Sequence, residues 1–253
     1  MTERRRWPLW ALRLGGGLAL LALWDLGASL SHNLLLPRPG PTLVALAHLV
    51  FDPALWRALA ISNQALALGF LGAALVGVPL GCVAGHWPRA GRWLDPYVNV
   101  LVVLPTPVLP PVIFMLMPPG LWARALVVAL FALPIVVQYA ETGVRRVDAR
   151  LRDVARVFGA TPLQAWRRVL LPAAAPDLLL GLRLGLSRAL EGMVVVELLI
   201  MAVGVGQLLQ DYQARFESPS MYAVILVLMA ESALLARLGR TLEGRRQRLS
   251  VAA

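Results

Sequence analysis

Arg183, Arg188, Glu191 and Glu197 lie in or at the edges of one long apolar run, and Glu231 stands in a later one. A charge inside a hydrocarbon layer is costly, so such residues pair with one another or face a water-filled cavity. Arg188 and Glu191 are three positions apart and can pair on one helix; Arg183 and Glu191, eight apart, share a face. This pattern fits side chains that line or gate a translocation route, and equally internal pairs that hold helices together. Other chemistry finds little support. His32, His48 and His86 are far apart, and the single Cys82 sits between Gly81 and Val83 in an apolar stretch, so no metal-binding spacing appears. No Gly-x-Ser-x-Gly and no paired-carboxylate motif is present. No Gly-rich loop ends in Gly-Lys-Ser/Thr; all 24 basic residues are arginine, leaving no lysine for a bound phosphate. No metal and no cofactor is expected in this chain.

A second group of residues, 147–171, has the pattern of a docking element. Apolar residues recur at Val147, Leu151, Val154, Ala155 and Phe158 with arginines between them, the spacing of an amphipathic helix. Gly159 allows a turn where a side chain would crowd. Thr161 then caps a second helix, Pro162 suits its first position, and Gln164 completes a capping box. Leu163, Trp166 and Leu170 share a face, and Pro172 and Pro176 are expected to end this unit and open the next span. Two short helices meeting at a glycine suit a groove on another protein; the competing expectation is a helix lying on lipid.

These groups must be positioned by a membrane framework. The 253 residues are 58% hydrophobic and 15% charged, against roughly 25% charged in soluble domains. That excludes a soluble enzyme core, a disordered tail and a coiled coil. Spans of about 20 apolar residues are expected at Leu14–Leu34, Ala58–Ala84, Pro96–Met117, Leu121–Ala140, Pro176–Met201 and Met221–Leu238. A short interfacial helix is expected over Thr42–Arg57. The first span resembles a secretory signal but is expected to be retained; Asp25 within it is expected to face other helices. Pro105, Pro107, Pro110 and Pro111 break the third span into a bent span or a helix pair. With the N-terminus inside, eighteen arginines fall on the inner segments and four on the outer ones, a strong positive-inside bias. Six spans with both termini cytoplasmic follow. The net charge of +10 therefore needs no nucleic-acid partner.

Asp153-Val154-Ala155, Gly159-Ala160 and Val169-Leu170-Leu171-Pro172 resemble the signature loop of binding-protein-dependent ABC importer permeases. Gly143-Val144-Arg145-Arg146-Val147-Asp148, Gly181-Leu182-Arg183-Leu184, Val196-Glu197, Gly204-Val205-Gly206, Leu36-Pro37-Arg38-Pro39 and Leu94-Asp95-Pro96 are similar to the nitrate/sulfonate/taurine subgroup. The likeness spans about residues 34 to 245. Asp153 stands where that family usually has Glu, and Ile113 to Gly120 replaces its usual aromatic-Gly segment.

The resemblance implies an all-α polytopic membrane protein with the type I ABC importer permease fold, a single permease domain over residues 1–253 with the coupling loop at 147–171. It implies a bacterial inner-membrane subunit that pairs with a second permease copy, most simply as a homodimer. Two ATPase subunits would carry ATP and Mg, and an extracytoplasmic binding protein would deliver a sulfonate, nitrate or taurine-like solute. Asp153, Ala155, Arg156, Gly159, Ala160, Thr161 and Pro172 would meet the ATPase, with Ala155 and Gly159 in close packing. Arg183, Arg188, Glu191, Glu197 and Glu231 would line the route or pack. The alternative is a small ion-coupled carrier, although such carriers are mostly larger and built from inverted repeats not seen here.

Overall fold

The computed structural model describes residues 9–31, 35–104, 106–200 and 202–251. Arg4, Arg5, Arg6, His32, Leu34, Pro105 and Met201 lie outside them. The described chain is helical throughout: α1 (Leu9–Ser31), α2 (Pro39–Phe51), α3 (Pro53–His86), α4 (Pro88–Val103), α5 (Leu109–Leu116), α6 (Leu121–Arg145), α7 (Ala149–Val157), α8 (Pro162–Ala165), α9 (Leu171–Leu199), α10 (Gly204–Ala214) and α11 (Ser218–Val251).

Proline sets much of the phrasing. It opens α2, α3, α4 and α8 at the first helical positions, where its missing N–H costs nothing. Asp52 caps α3, its carboxylate accepting from the Ala54 N–H at 2.8 Å.

Helix α6 is the centre of the bundle, packed along α3 on one side and α9 on the other. Small residues bring the axes together. A Cβ on Gly69 would land on the Ala125 carbonyl and Val128; one on Gly81 would strike the Val137 carbonyl and Ala140. On the other side Gly185 meets Val136 and Gly192 meets the Phe131 ring. Lipid offers no hydrophobic drive between helices, so this close approach is what holds them. Val128, Ala132, Ala189 and Met193 form the sealed interior.

Among the described residues four helical stretches are long and apolar enough to cross a membrane: Pro53–His86, Leu121–Arg145, Pro162–Leu199 and Ser218–Arg240. This corrects the expectation of six. The third expected span divides into α4, a short 3-10 turn at Thr106–Val108, and α5; backbone without N–H groups at Pro107, Pro110 and Pro111 cannot continue one helix. The described apolar part of α1, Gly15–Ser31, falls short of spanning length, and Asp25 on it is exposed. The interfacial stretch Thr42–Arg57 is split at Asp52 between α2 and the start of α3.

Pro172 and Pro176 also depart from expectation, since the chain stays helical from Pro162 through Leu199. A π turn at Trp166–Leu170 precedes them. Its wider turn makes room for the Pro172 ring, which an unbroken α-helix would press against the carbonyl four residues back.

Gly81→Val should lower the stability of the purified protein by about 1 to 3 kcal/mol, read as a fall in its thermal midpoint. Gly72→Ala, with nothing within 4 Å of its Cβ position, should leave the midpoint unchanged.

Candidate functional site

The segment between α6 and α9 folds as two helices meeting at Gly159. Asp148 caps α7, accepting from the Arg150 N–H at 2.9 Å. The helix closes with the Gly159 N–H donating to the Arg156 carbonyl at 2.9 Å and the Ala160 N–H to the Ala155 carbonyl at 3.0 Å. Gly159 itself has φ +71°, a left-handed conformation that glycine adopts without strain. The expected capping box is present: the Gln164 N–H donates to Thr161 Oγ1 at 3.3 Å, and the Thr161 N–H to Gln164 Oε1 at 2.9 Å.

One side of this knuckle rests on the bundle. Val147, Leu170 and Ala174 cluster with Cys82, Ala140 and Val144, and Trp166 packs against them. The His86 ring lies 5.1 Å from the Trp166 ring, joining the end of α3 to the loop. Ala155 is buried against its own chain, so it supports the knuckle from within. Space around Gly159 is open; its constraint is backbone conformation.

The other side is apolar and uncovered. Val157 and Phe158 are 85% and 84% exposed, and Leu163 67%. Asp153 and Arg156 pair beside them at 3.8 Å, both exposed.

The intramembrane charges separate into four places. Arg188 and Glu191 pair at 2.8 Å and stay about half exposed, as their spacing predicts. Glu231 Oε1 accepts from Asn63 Nδ2 at 2.7 Å, tying α11 to α3. Arg183 lies at the α9–α11 seam, where its side chain packs beside Gly239 and lines a cleft of about 170 Å³ with Ser187 and Ser232.

Glu197 is fully buried. Ser62 donates to its Oε2 at 2.7 Å and the Gly206 N–H at 3.2 Å; Arg124 Nη1 pairs with Oε1 at 3.3 Å. Ser62 in turn accepts from the Val205 N–H at 3.0 Å. Gly204, at φ +60°, brings α10 so close that a Cβ there would strike Ser62 Oγ. One carboxylate thus fastens α3, α6, α9 and α10. Arg124 and Ser62 were not singled out from sequence, although Arg124 is a charge four residues into an apolar helix and that signal was available. Among the described residues no three metal-ligating side chains converge.

Removing one partner strands the other as a buried charge. Glu197→Ala should cost about 3 to 5 kcal/mol of stability, Glu197→Gln clearly less, because the amide oxygen still accepts from Ser62 and Gly206. Thermal unfolding of Glu197→Ala, Arg124→Ala and the double variant should show the double losing less than the two singles summed.

Residues 77–248 match the model of the family described as binding-protein-dependent transport system inner membrane component. A Bacillus subtilis protein named as an aliphatic sulfonates transport permease is 32% identical over 226 residues, covering 88% of this chain and 82% of that protein. The Escherichia coli taurine transport system permease protein is 30% identical over 244 residues, covering 92% and 88%. In structure, the chain resembles an inward-facing form of the MetNI methionine ABC transporter, with a TM-score of 0.64 at 22% identity, covering 76% of this chain and 94% of that one. The chain belongs to the binding-protein-dependent inner membrane components: it is the permease subunit of an ABC-type importer, not itself catalytic, with ATP hydrolysis on a separate subunit.

Proposed function

We propose that two copies of this permease form the route for a small sulfonate-like solute, taurine or an alkanesulfonate, delivered by an extracytoplasmic binding protein and driven by two ATPase subunits. The substrate class follows the two relatives above, one named for aliphatic sulfonates and one for taurine. Both termini are cytoplasmic in this reading, which the arginine asymmetry supports, and the membrane is the bacterial inner one.

The observation that carries the reading is the bare apolar tip of the knuckle. Val157, Phe158 and Leu163 are exposed on one side of the knuckle while the opposite side is sealed to the bundle. Large aromatic side chains left bare among arginines are typical anchors for a partner groove. In this reading the loop 147–171 docks on the ATPase through those three residues. Asp153 and Arg156 supply polar contacts, Ala155 backs the helix, and Gly159, Ala160 and Thr161 fix the corner. Pro172 lies where the knuckle joins α9, so a push on the tip tilts that helix. Alternation between inward- and outward-open states follows from such tilting.

Arg188 and Glu191 belong to the route or to the seam between copies, since a half-exposed ion pair on a spanning helix is costly against lipid. Arg183 and Glu231 sit at helix seams of one copy and serve the route only if those seams open. Glu197 fastens helices and does not meet solute.

Co-purification with the ATPase encoded for this importer tests the docking. Phe158→Ala should weaken the association about tenfold or more, while Leu163→Ala weakens it less. Undiminished recovery of the ATPase by Val157→Ala/Phe158→Ala would overturn the assignment. Gly159→Val, strained at φ +71°, should lose coupling of ATP hydrolysis to uptake.

A further inference from the structure

We propose that α3 and α4 form a two-part site for one anionic phospholipid, with Arg89 and Arg92 on its phosphate and an acyl chain in the apolar slot beside them. On α4, Arg89, Arg92, Trp93, Pro96 and Tyr97 follow helical spacing along one stripe and line an open cleft of about 630 Å³. Both charged groups lining it are arginines. The acid of this helix points elsewhere: Asp95 reaches Arg145 of α6 at 4.0 Å, and Arg145 also pairs with Glu141. Gly91, on the same buried side, admits the Arg145 guanidinium where a Cβ would clash. On the face of α4 toward α6 the two carboxylates are thus drawn to Arg145, and among the described residues no acid pairs with Arg89 or Arg92 on the outward stripe.

A second cleft of about 350 Å³ adjoins the first and shares Trp93 and Tyr97 with it. Its other walls are Leu80, Val83, Ala84, Ala90 and Leu94, all apolar. A phosphate-sized anion would fill only the arginine cleft. A molecule with an anionic head and a hydrocarbon tail fills both, which is why the occupant is a phospholipid and not free phosphate. The level also fits. Trp87 follows directly on His86, which packs on Trp166 of the knuckle, so the arginines lie at the coupling end of the bundle. Under the orientation proposed above, on which this placement rests, that end is the inner headgroup layer. Exposed Trp93 and Tyr97 have the amphipathic character of side chains found at that depth, and basic clefts between helices on this side suit anionic headgroups.

Native mass spectrometry of the full permease, purified with its partner subunits and stripped of lipid, tests the site by titration with phosphatidylglycerol and phosphatidylcholine. Wild type should retain phosphatidylglycerol well above phosphatidylcholine. Arg89→Gln/Arg92→Gln should weaken phosphatidylglycerol roughly thirtyfold, toward the phosphatidylcholine level. Arg237→Gln/Arg240→Gln, removing equal charge from α11, should bind it as wild type does. Inorganic phosphate should not displace it; displacement at comparable concentration would overturn the lipid assignment in favour of a plain anion site. Unchanged binding by Arg89→Gln/Arg92→Gln would also overturn it. So would spontaneous disulfide cross-linking of Trp93→Cys between copies in a Cys82→Ala background, because a second copy would then cover the cleft. None of these readouts depends on transport or ATP, so failure here leaves the importer reading standing.

Discussion

The close approach of α3 and α9 to α6 is the constraint on which the other features depend. Glycines at 69 and 81 let the α3 backbone reach the carbonyls of α6, and Gly185 and Gly192 let α9 seat against the Val136 and Phe131 side chains of α6. In a membrane the unfolded alternative already sits in an apolar solvent, so packing and internal hydrogen bonds must supply the association. Three helices drawn together in this way keep Glu197 fully buried, and they hold Val144 and Ala140 where the knuckle rests on them. The knuckle therefore inherits its position from helix axes fixed many residues away.

The charges divide according to the same packing. Glu197 and Arg124 are buried where several donors converge on one carboxylate, an arrangement whose desolvation cost is offset only because those partners are all in place. Arg188 and Glu191 satisfy one another with a single contact and remain half exposed. The first group suits a fixed joint between four helices. The second suits a surface that meets water or a second copy. A transporter needs both: rigid units that move as bodies, and polar faces between them.

Local signals in the sequence were read well where the physics is local. The Thr161–Gln164 capping box, the corner at Gly159 and the Arg188–Glu191 pair depend on residues within a few positions of one another, and all three are present. What depends on tertiary surroundings was not legible. Amphipathic spacing places Ala155 and Phe158 on one apolar stripe, yet Ala155 is buried within the folded chain and Phe158 is bare. The count of six spans treated apolar length as sufficient; Pro107, Pro110 and Pro111 divide one expected span, and α1 is described as apolar over too short a stretch. Pro172 was read as a helix end because a π turn that accommodates it leaves no clear mark in composition. Arg124 pairs with Glu197, 73 residues away, a contact that no local pattern signals.

Uptake by proteoliposomes holding the permease with its ATPase and binding protein tests the central claim most directly. Taurine or alkanesulfonate accumulation should require both ATP inside and binding protein outside, and should fall with Phe158→Ala while an imposed proton or sodium gradient has no effect. Accumulation that persists without ATP and follows the ion gradient would contradict the account and make the chain an ion-coupled carrier.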